Sequence, residues 1–397
     1  MPEDGGATTG DRGGAGAAGP VLVLNAGSSS LKYRLLAGGR AEEPEDLEHG
    51  QLERIGEPGG EAADHADAVG QVIDRLHNRP VAAVGHRVVH GGDRFREPVL
   101  VDDDVLTAIE ELARWAPLHN RAAAAGIHAA RGALPGIPHL ALFDTAFHAT
   151  LPPAAFTYAI DRELAGEYGI RRYGFHGISV RYVVDQAARL LERPVAELNM
   201  IVLHLGNGAS ATAVAGGVSV DTSMGLTPLE GLAMGTRTGD IDPAVAFYLA
   251  RVRNLSLDQI ENQYQRQGGL AGLCGDNDVR AVQSRAASGD RDAELALDVY
   301  CHRIRKYVGA YHAVLGRLDA VVFTAGVGEH SGPVRARSLA GLEPMGIMVD
   351  PERNGADGGA RLISPAGSAV SVCVVPTDEE RSIAQQTAAV LGLAGSW

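Results

Sequence analysis

The sequence predicts an α/β protein built from two similar halves that face one another across a cleft. Two segments support this prediction, because residues 21–28 and residues 201–210 each lead from an apolar strand into a turn of Asn, Gly and Ser. Each turn is followed by a second strand, and residues 321–328 add a third apolar strand that ends in glycines. The chain has 397 residues, which is longer than one ordinary domain, so we expect two domains.

Composition excludes several classes of function. The formal net charge of −14 argues against a nucleic-acid surface and against binding to an anionic membrane. No apolar run approaches the about 18 residues that span a bilayer. The three cysteines are scattered without metal-ligand spacing, which is typical of a reduced cytoplasmic protein. Residues 1–20 are rich in Gly and Ala and lack the features of a signal peptide, so we predict a disordered extension.

The stretch from residue 200 to residue 243 is the most informative part of the chain. Its apolar runs predict three strands, at residues 200–205, 211–214 and 218–220. The first strand ends at Gly206, and a glycine turn lets backbone N–H groups approach an anion because no Cβ is in the way. Polar and small residues then surround Arg237 before Asp242 and Pro243 begin a helix. This pattern predicts a phosphate site.

The N-terminal hairpin has two interpretations. Its turn carries polar residues that could all face one anion, namely Asn25, Ser28, Ser30 and Lys32. An ordinary Gly-Ser hairpin is the equal alternative. Residues 42–60, which follow, are acidic and rich in turn formers, so we predict a surface segment there. A helix is predicted over residues 63–76.

Three further polar residues lie in settings that allow either a structural or a functional role. Arg87 lies in an apolar strand context, where it either pairs with a carboxylate or points into an anion-binding cleft, and Gly91-Gly92 favours the second. Asp144 follows the predicted strand 139–143, so it is either a catalytic group at a strand end or a helix N-cap. His176, in a Gly-bounded loop, is either a structural histidine or a catalytic one.

The C-terminal part supplies more loops and one capping motif. Residues 268–280 and 324–330 are predicted to be loops, and residues 290–315 a long helix. Thr377 and Glu380 predict a capping box at the start of the last helix, which leaves Glu379 free to face a cleft. No G-x-G-x-x-G string follows a predicted strand and no P-loop string is present, so a nucleotide would be bound by another architecture.

Eight strings in the chain resemble the acetate kinase family. They occur in the family's order over residues 21–392, and they read NAGSSSLKY (25–33), GHRVVHGG (85–92), FDTAFH (143–148), RYGFHG (172–177), HLGNGAS (204–210), DTSMGLTPLEGLAMGTRTGDIDP (221–243), FTAGVGE (323–329) and PTDEE (376–380). The resemblance implies the fold shared by acetate and sugar kinases, chaperone ATPases and actin, with two ribonuclease-H-like domains and ATP between them. The implied N-terminal domain is 21–151, joined by the C-terminal helix at about 377–397, and the implied nucleotide-binding domain is 152–376.

The resemblance also implies a role for individual residues. Mg²⁺, or Mn²⁺ in its place, would be held by Asn25 and Glu379, with Ser28, Ser30 and Lys32 beside the phosphates. The implied catalytic residues are Arg87, Asp144, His176 and Arg237. The implied acyl pocket consists of Arg87, Val89, Leu118, Phe175 and Pro228. The ATP phosphates would be contacted by His204, Leu205, Gly206, Asn207 and Gly208. The adenosine would be held by Asp278, Val279, Arg280, Gly326, Val327, Gly328, Glu329 and His330.

The implied reaction is reversible transfer of the γ-phosphoryl group of ATP to acetate, giving acetyl phosphate and ADP, in a cytoplasmic homodimer. Propionate, or less readily butyrate, is an alternative acceptor. A pyrophosphate-linked variant is a second alternative, since His330 replaces the family's usual asparagine. Asp378 also replaces an asparagine. A non-catalytic, nucleotide-switched binding protein is the third alternative, and Arg87 and Arg237 count against it.

Overall fold

The structure, a computed structural model, describes residues 19–38 and 45–393, apart from the side chain of Leu118. The first eighteen residues of the predicted disordered extension therefore lie outside the described residues, as do residues 394–397. The described residues form two mixed sheets with helices packed around them. Within these described ranges, no helix combines the length and the apolar character needed to cross a bilayer.

The first sheet has six strands in the order β3-β2-β1-β4-β6-β5. Its strands are β1 (Val21–Ala26), β2 (Ser30–Ala37), β3 (Glu45–Glu53), β4 (Ala83–Val88), β5 (Val99–Leu100) and β6 (His139–Phe143). The hairpin β1–β2 is antiparallel, whereas β1, β4 and β6 run parallel. The helices between these strands are α1 (His65–Arg75), α2 (Asp103–Glu111) and α3 (Pro117–Ala133).

The second sheet repeats this plan. Its order is β11-β12-β10-β7-β8-β9, with strands β7 (Asn199–Leu205), β8 (Ala209–Ala215), β9 (Val218–Thr222), β10 (Ala320–Thr324), β11 (Arg361–Leu362) and β12 (Ser371–Val374). Hairpin β7–β8 is antiparallel, and β7, β10 and β12 run parallel. Both sheets therefore have a hairpin, an outer antiparallel strand and two parallel partners. The prediction of a duplicated α/β fold is confirmed.

Helices connect and cover the second half. The segment of chain that connects the first sheet to the second contains α4 (Pro153–Phe156), α5 (Arg162–Tyr168) and α6 (Gly177–Leu190). The long excursion from β9 to β10 contains α7 (Ala244–Val252), α8 (Leu257–Gln265), α9 (Gly269–Cys274), α10 (Val279–Ala287) and α11 (Arg291–Leu315). The remaining helices are α12 (Ala325–His330), α13 (Gly332–Leu339), α14 (Pro351–Gly355) and α15 (Glu379–Leu391). The long helix and the hairpin strands agree with the sequence-based predictions within a few residues.

The last helix, α15, returns to the first sheet. Its residues Ile383 and Ala384 are buried together with Ile178 of α6 against strand residues such as Val21 and Leu140. The chain end is thus part of the core of the first sheet. The domain limits given above stay a prediction.

Several local predictions are wrong. Residues 42–60 contain the strand β3, which sequence patterning misses because an edge strand is mostly exposed and buries few side chains, Leu52 among them. The predicted loop 268–280 contains α9 and the start of α10, and the predicted loop 324–330 is α12. The glycines of both stretches favour a loop prediction, but tertiary packing stabilises the short helices.

The predicted capping box is also wrong. The N-cap of α15 is Asp378, whose side chain accepts the N–H of Arg381. Thr377 instead places its hydroxyl 2.7 Å from Ser179 Oγ. Glu380 is engaged by Lys32 Nζ at 2.6 Å. A capping aspartate one residue later satisfies the same free N–H groups, which is why the choice could not be made from the sequence.

Candidate active site

A cavity of about 400 Å³ is lined by residues from both halves of the chain. It brings together residues from six separate motifs of the sequence, namely Asn25, Ser30, Lys32, Arg87, Val89, Asp144, Phe175, His176, Gly208, Pro228 and Arg237. Because these residues are up to about 200 positions apart in the chain, the folding topology alone brings them together. We call this space the acceptor cavity.

Arg87 lies on β4 and makes a two-pronged ion pair at the floor of the acceptor cavity. Its Nε and Nη2 donate to Asp144 Oδ1 and Oδ2 at 3.0 and 2.8 Å, and its Nη1 is 3.3 Å from Glu379 Oε2. Burial opposes the charge on Arg87, but the carboxylates of Asp144 and Glu379 raise its pKa above the ordinary value. Both alternatives for Arg87 therefore hold, because it is paired with a carboxylate and it faces a cavity.

Asp144 lies directly after β6 and is 2% exposed. Both of its carboxylate oxygens accept hydrogen bonds from Arg87, and the short 3₁₀ helix that follows has no side-chain cap. The helix N-cap alternative for Asp144 is therefore wrong. A two-pronged carboxylate partner fixes the plane of a guanidinium, so Asp144 can orient Arg87 toward the cavity.

Arg237 differs from Arg87 because it lacks a strong partner. Its nearest acceptors are the Pro228 carbonyl oxygen at 3.5 Å and Met234 Sδ at 3.9 Å, and none of the described carboxylates pairs with it. Burial lowers its pKa. A partly buried guanidinium without a counter-charge is costly, so the position is suited to an anionic ligand.

His176 lies between these arginines at the start of α6, where its backbone adopts a left-handed φ of 59°. Its Nδ1 is 3.0 Å from Ser210 Oγ, and its ring stacks on His204 with a centroid separation of 4.1 Å. Burial, followed by His204 and the two arginines, lowers the pKa of His176 well below its usual value. The ring is therefore neutral near pH 7. In the tautomer in which Ser210 donates to Nδ1, Nε2 carries a proton that it can donate.

Arg237 and His176 both lie close to Gly208. A Cβ added at Gly208 would lie 3.4 Å from Arg237 Nη1 and 3.6 Å from His176 Nε2. The Arg237 guanidinium and the His176 ring nitrogen thus both lie beside the turn between β7 and β8. One anion in this space could accept hydrogen bonds from both side chains.

The opposite wall of the acceptor cavity is apolar. It is formed by Val89, Phe175 and Pro228, and Phe175 is almost fully buried. The side chain of Leu118, which was expected here, lies outside the described residues. An apolar wall beside two arginines is suited to a small carboxylic acid, with its charge toward the guanidinium groups and its alkyl group toward the wall.

A second cavity of about 550 Å³ lies on the other side of the β7–β8 turn. Asn207 lines this second cavity while its neighbour Gly208 lines the acceptor cavity, so the turn is shared by both. The predicted nucleotide residues that line it are Gly206, Asn207, Asp278, Val279, Arg280, Gly326, Val327 and His330. Asp278 also caps α10 and pairs with Arg280 at 2.7 Å.

Other predicted residues lie outside both cavity linings. Ser28 is exposed at the hairpin turn, and Leu205 is fully buried in the core. His204 supports the His176 ring and bonds Ser179 through Nδ1 at 2.8 Å. Gly328 is buried in α12. Glu329 Oε1 accepts the backbone N–H of Thr377 at 3.1 Å.

The sequence analysis missed several lining residues. His119 and Gln51 line the acceptor cavity, and Gly235, Asn277, Gln283, Tyr300 and Ser331 line the second one. Burial, Arg237 and Arg87 lower the pKa of His119. Its position directly after the helix break at Ala116-Pro117 was the available signal. Gln51 lies on the strand that was itself missed, so no signal pointed to it.

The chemistry of the predicted metal ligands can be compared with what Mg²⁺ requires. Among the described residues, no cluster of three or more His, Cys, Asp or Glu side chains has the arrangement of a metal site. Mg²⁺ in kinases, however, takes only one or two protein oxygens and completes its shell with water and phosphate. Asn25 lines the acceptor cavity, and the Glu379 carboxylate, although outside that lining, lies 3.3 Å from Nη1 of Arg87, which lines the same cavity. The residues present therefore fit such an ion.

The relatives of this chain show the class of protein, a kinase that transfers a phosphoryl group to a carboxyl acceptor. Residues 20–385 match the acetokinase family, and the chain belongs to that family. It is 56% identical over 392 residues to the acetate kinase of Clavibacter michiganensis, covering 93% of this chain and 98% of that protein.

Two solved structures are also similar to this chain. The acetate kinase of Porphyromonas gingivalis superimposes with a TM-score of 0.89 at 39% identity, covering 94% of this chain and 100% of that one. A propionate kinase from Francisella tularensis superimposes with a TM-score of 0.86 at 40% identity, covering 93% of this chain and 99% of that one.

Proposed function

We propose that the chain transfers the γ-phosphoryl group of ATP to the carboxylate of acetate, reversibly, giving acetyl phosphate and ADP. One observation supports this most directly. The unpaired guanidinium of Arg237 lines the same cavity as the paired Arg87 and the neutral His176, and Val89, Phe175 and Pro228 give that cavity an apolar part. An anion with a small alkyl group satisfies both parts of that cavity.

The proposed chemistry needs no general base. A carboxylate is already a nucleophile, and the obstacle is to bring it in line with a negatively charged phosphoryl group. Arg87, held by Asp144, would bind one anion, and Arg237 would bind the transferring group. His176 would donate from Nε2 to the equatorial oxygens as charge spreads over them. A neutral imidazole does this without a proton transfer.

The metal is proposed to lie at the phosphate end of the acceptor cavity. Asn25 and Glu379 would hold Mg²⁺, with Mn²⁺ as a substitute, and Ser30 and Lys32 would lie beside the phosphates. When bound, the ion neutralises charge on the phosphate oxygens. Glu379 would then exchange its contact with Arg87 for the metal, which would free one edge of that guanidinium for the acid.

ATP is proposed to occupy the second cavity, with its phosphates crossing the β7–β8 turn. Backbone N–H groups around Gly206 and Gly208 can approach the phosphates closely. The adenosine would lie between α12 and the start of α10, against Val279 and Val327. His330 lines the same space and would contact the base or the ribose. His204 and Leu205 would act by supporting the turn from the buried side.

Propionate is a second candidate acceptor. The solved propionate kinase from Francisella tularensis is as similar to this chain as the solved acetate kinase. One methylene in an apolar pocket changes binding by only about 1–3 kcal/mol. We therefore expect activity on both acids, with acetate preferred.

A cytoplasmic homodimer is proposed for the assembly. Exposed apolar side chains are concentrated on α7 and at the start of α8, namely Phe247, Tyr248, Val252 and Leu257. Such a patch is typical of an interface with another chain. The three cysteines are all free and buried, which suits a reducing compartment. Light scattering of the purified protein would give its mass, and a monomeric mass would contradict the proposal.

The test of the activity is acyl-hydroxamate formation from ATP, Mg²⁺ and an acid, with acetate, propionate and butyrate compared. Arg237→Ala should abolish turnover, whereas Arg75→Ala, at an exposed position near the end of α1, should not change it. Absence of turnover on every acid would contradict the proposal. Pyrophosphate would then be tested as donor, which separates a changed donor from a non-catalytic protein.

A further inference from the structure

A half-buried arginine, Arg172, joins two loops that are distant in sequence by hydrogen bonds. Arg172 Nη1 donates to the carbonyl oxygens of Thr222 and Ser223 at 2.9 Å and of Met224 at 3.1 Å. Its Nη2 donates to Glu230 Oε1 at 2.6 Å. One guanidinium therefore holds both ends of the segment 222–230.

Tyr158 completes this arrangement. Its hydroxyl donates to the second carboxylate oxygen of Glu230 and accepts the backbone N–H of Leu226 at 3.0 Å. A Cβ on Gly225 would collide with both the Glu230 carboxylate and the Tyr158 hydroxyl. The segment is therefore folded closely around these polar groups. We call Tyr158, Arg172 and Glu230 the clamp.

The clamp joins two walls of the acceptor cavity, although none of its members is among the residues that line it. Segment 222–230 carries Pro228, and the loop that contains Arg172 continues into Phe175 and His176. Backbone bonds reinforce the connection, since the N–H groups of the two residues after Arg172 both donate to Gly225 O, at 3.0 and 3.3 Å. The distance between the two walls thus depends on the clamp.

We propose that the clamp sets the width of the apolar end of the acceptor cavity and thereby determines which carboxylic acids the enzyme accepts. The inference rests on the proposed function, because it assumes that the alkyl group of the acid lies between Phe175 and Pro228. Tyr158, Arg172 and Glu230 act through these two residues, so they are positioning residues. Loosening the clamp moves Pro228 away from Phe175 and leaves room for a longer chain.

The experiment is a steady-state comparison of wild type with Tyr158→Phe. This variant keeps the ring but removes the hydroxyl that connects Glu230 to Leu226. We expect the KM for acetate to rise about tenfold, the effect of one charge-assisted hydrogen bond, and the preference for acetate over propionate and butyrate to fall. The KM for ATP should stay within about twofold, because the loops that the clamp joins contribute Phe175 and Pro228 to the acceptor cavity and no residue to the second cavity.

Two further variants make the result decisive. Glu230→Gln keeps the size of the side chain and removes its charge, and it should change the KM for acetate in the same direction. Asp319→Asn is the matched control, because it removes the charge of a carboxylate that pairs with Arg193 at 3.0 Å just before β10, outside the clamp. It should leave the acid preference unchanged. Thermal melting of every variant records the structural cost separately.

The outcomes separate the clamp from the activity itself. If the wild type phosphorylates none of the acids, the proposed function fails. If the wild type is active and Tyr158→Phe and Glu230→Gln keep its acid preference and its KM for acetate, the clamp inference is overturned. It is equally overturned if both variants lose activity with acetate and ATP alike in proportion to a lower melting temperature, since that is a general structural role.

Discussion

The two arginines of the acceptor cavity should respond differently to removal, although each is proposed to bind one of the two reacting anions. Arg87→Ala would leave two acidic partners, Asp144 and Glu379, without their cation. Arg237→Ala would remove a guanidinium that pairs with none of the described carboxylates. Both variants should therefore lose activity, but only Arg87→Ala should lose stability.

The magnitudes follow from burial and pairing. Breaking a buried ion pair by removing one partner costs about 3–5 kcal/mol, and Asp144 is 2% exposed, so Arg87→Ala should lower the free energy of unfolding by about that much. Arg237→Ala should change it by less than about 1 kcal/mol, because no buried counter-charge is uncovered. Turnover should fall about 10³-fold or more in each variant.

Urea unfolding followed by tryptophan fluorescence measures the first quantity, and the hydroxamate assay measures the second. A double variant, Arg87→Ala with Asp144→Ala, serves as the internal control, because it removes the uncompensated carboxylate and should recover part of the lost stability. Equal destabilisation by Arg87→Ala and Arg237→Ala would refute the reasoning. So would near-normal turnover in either single variant.

Four further outcomes are expected. Arg237→Lys should also lose most activity, because a lysine cannot present two donors in one plane. Glu379→Gln should raise the Mg²⁺ concentration needed for half-maximal activity about tenfold, since one charged oxygen ligand is lost. Burial lowers the pKa of His148 to about 4, so the folded state disfavours its protonation. The neutral histidine therefore stabilises the fold fully above pH 6.5, and this stabilisation is lost as the pH falls. Between pH 7.5 and 5 the free energy of unfolding of the wild type should fall by about 2 kcal/mol more than that of His148→Gln. Arg335→Met should cost about 2–3 kcal/mol and raise the KM for ATP, because Arg335 donates to the carbonyl oxygen of Gly328 in α12 at 2.9 Å.

Each of these outcomes has a result that contradicts it. Substantial turnover by Arg237→Lys would mean that charge alone suffices at that position. An unchanged Mg²⁺ requirement in Glu379→Gln would exclude Glu379 as a ligand. Parallel pH profiles of unfolding for wild type and His148→Gln would show that this histidine is not the titrating group. A destabilised Arg335→Met with an unaltered KM for ATP would show that α12 does not depend on the arginine.

Patterns local to the chain predicted the fold well. The two hairpins were visible because their strands are apolar and their turns contain Asn, Gly and Ser, and the repeated order of the sheets follows from that duplication. Asp144 was correctly placed at a strand end, because β6 is buried along its whole length. The strand β3 could not be found in this way, since an edge strand needs backbone pairing with β2 more than it needs apolar side chains.

Contacts between distant segments were beyond the reach of the sequence. Nothing near Arg172 indicates that it bonds Glu230, which lies 58 residues later. The same holds for the sharing of Arg87 between Asp144 and Glu379, because the sequence leaves Asp144 with two alternative roles and names no partner for Glu379. Such pairings depend on where the topology brings loops together, and they are where the finer features of the site lie.

The return of α15 to the first sheet has a consequence for biosynthesis. Strands β1 and β4 are made early, yet the helix that covers them with Ile383 and Ala384 is made after all the other described helices and strands. At about 5–20 residues per second, the finished β6 waits roughly 10–50 s for that cover. A chain that stops short of Glu379 therefore has an open apolar sheet and no second carboxylate beside Arg87. An unfinished chain would therefore expose apolar surface before the site around Arg87 is complete.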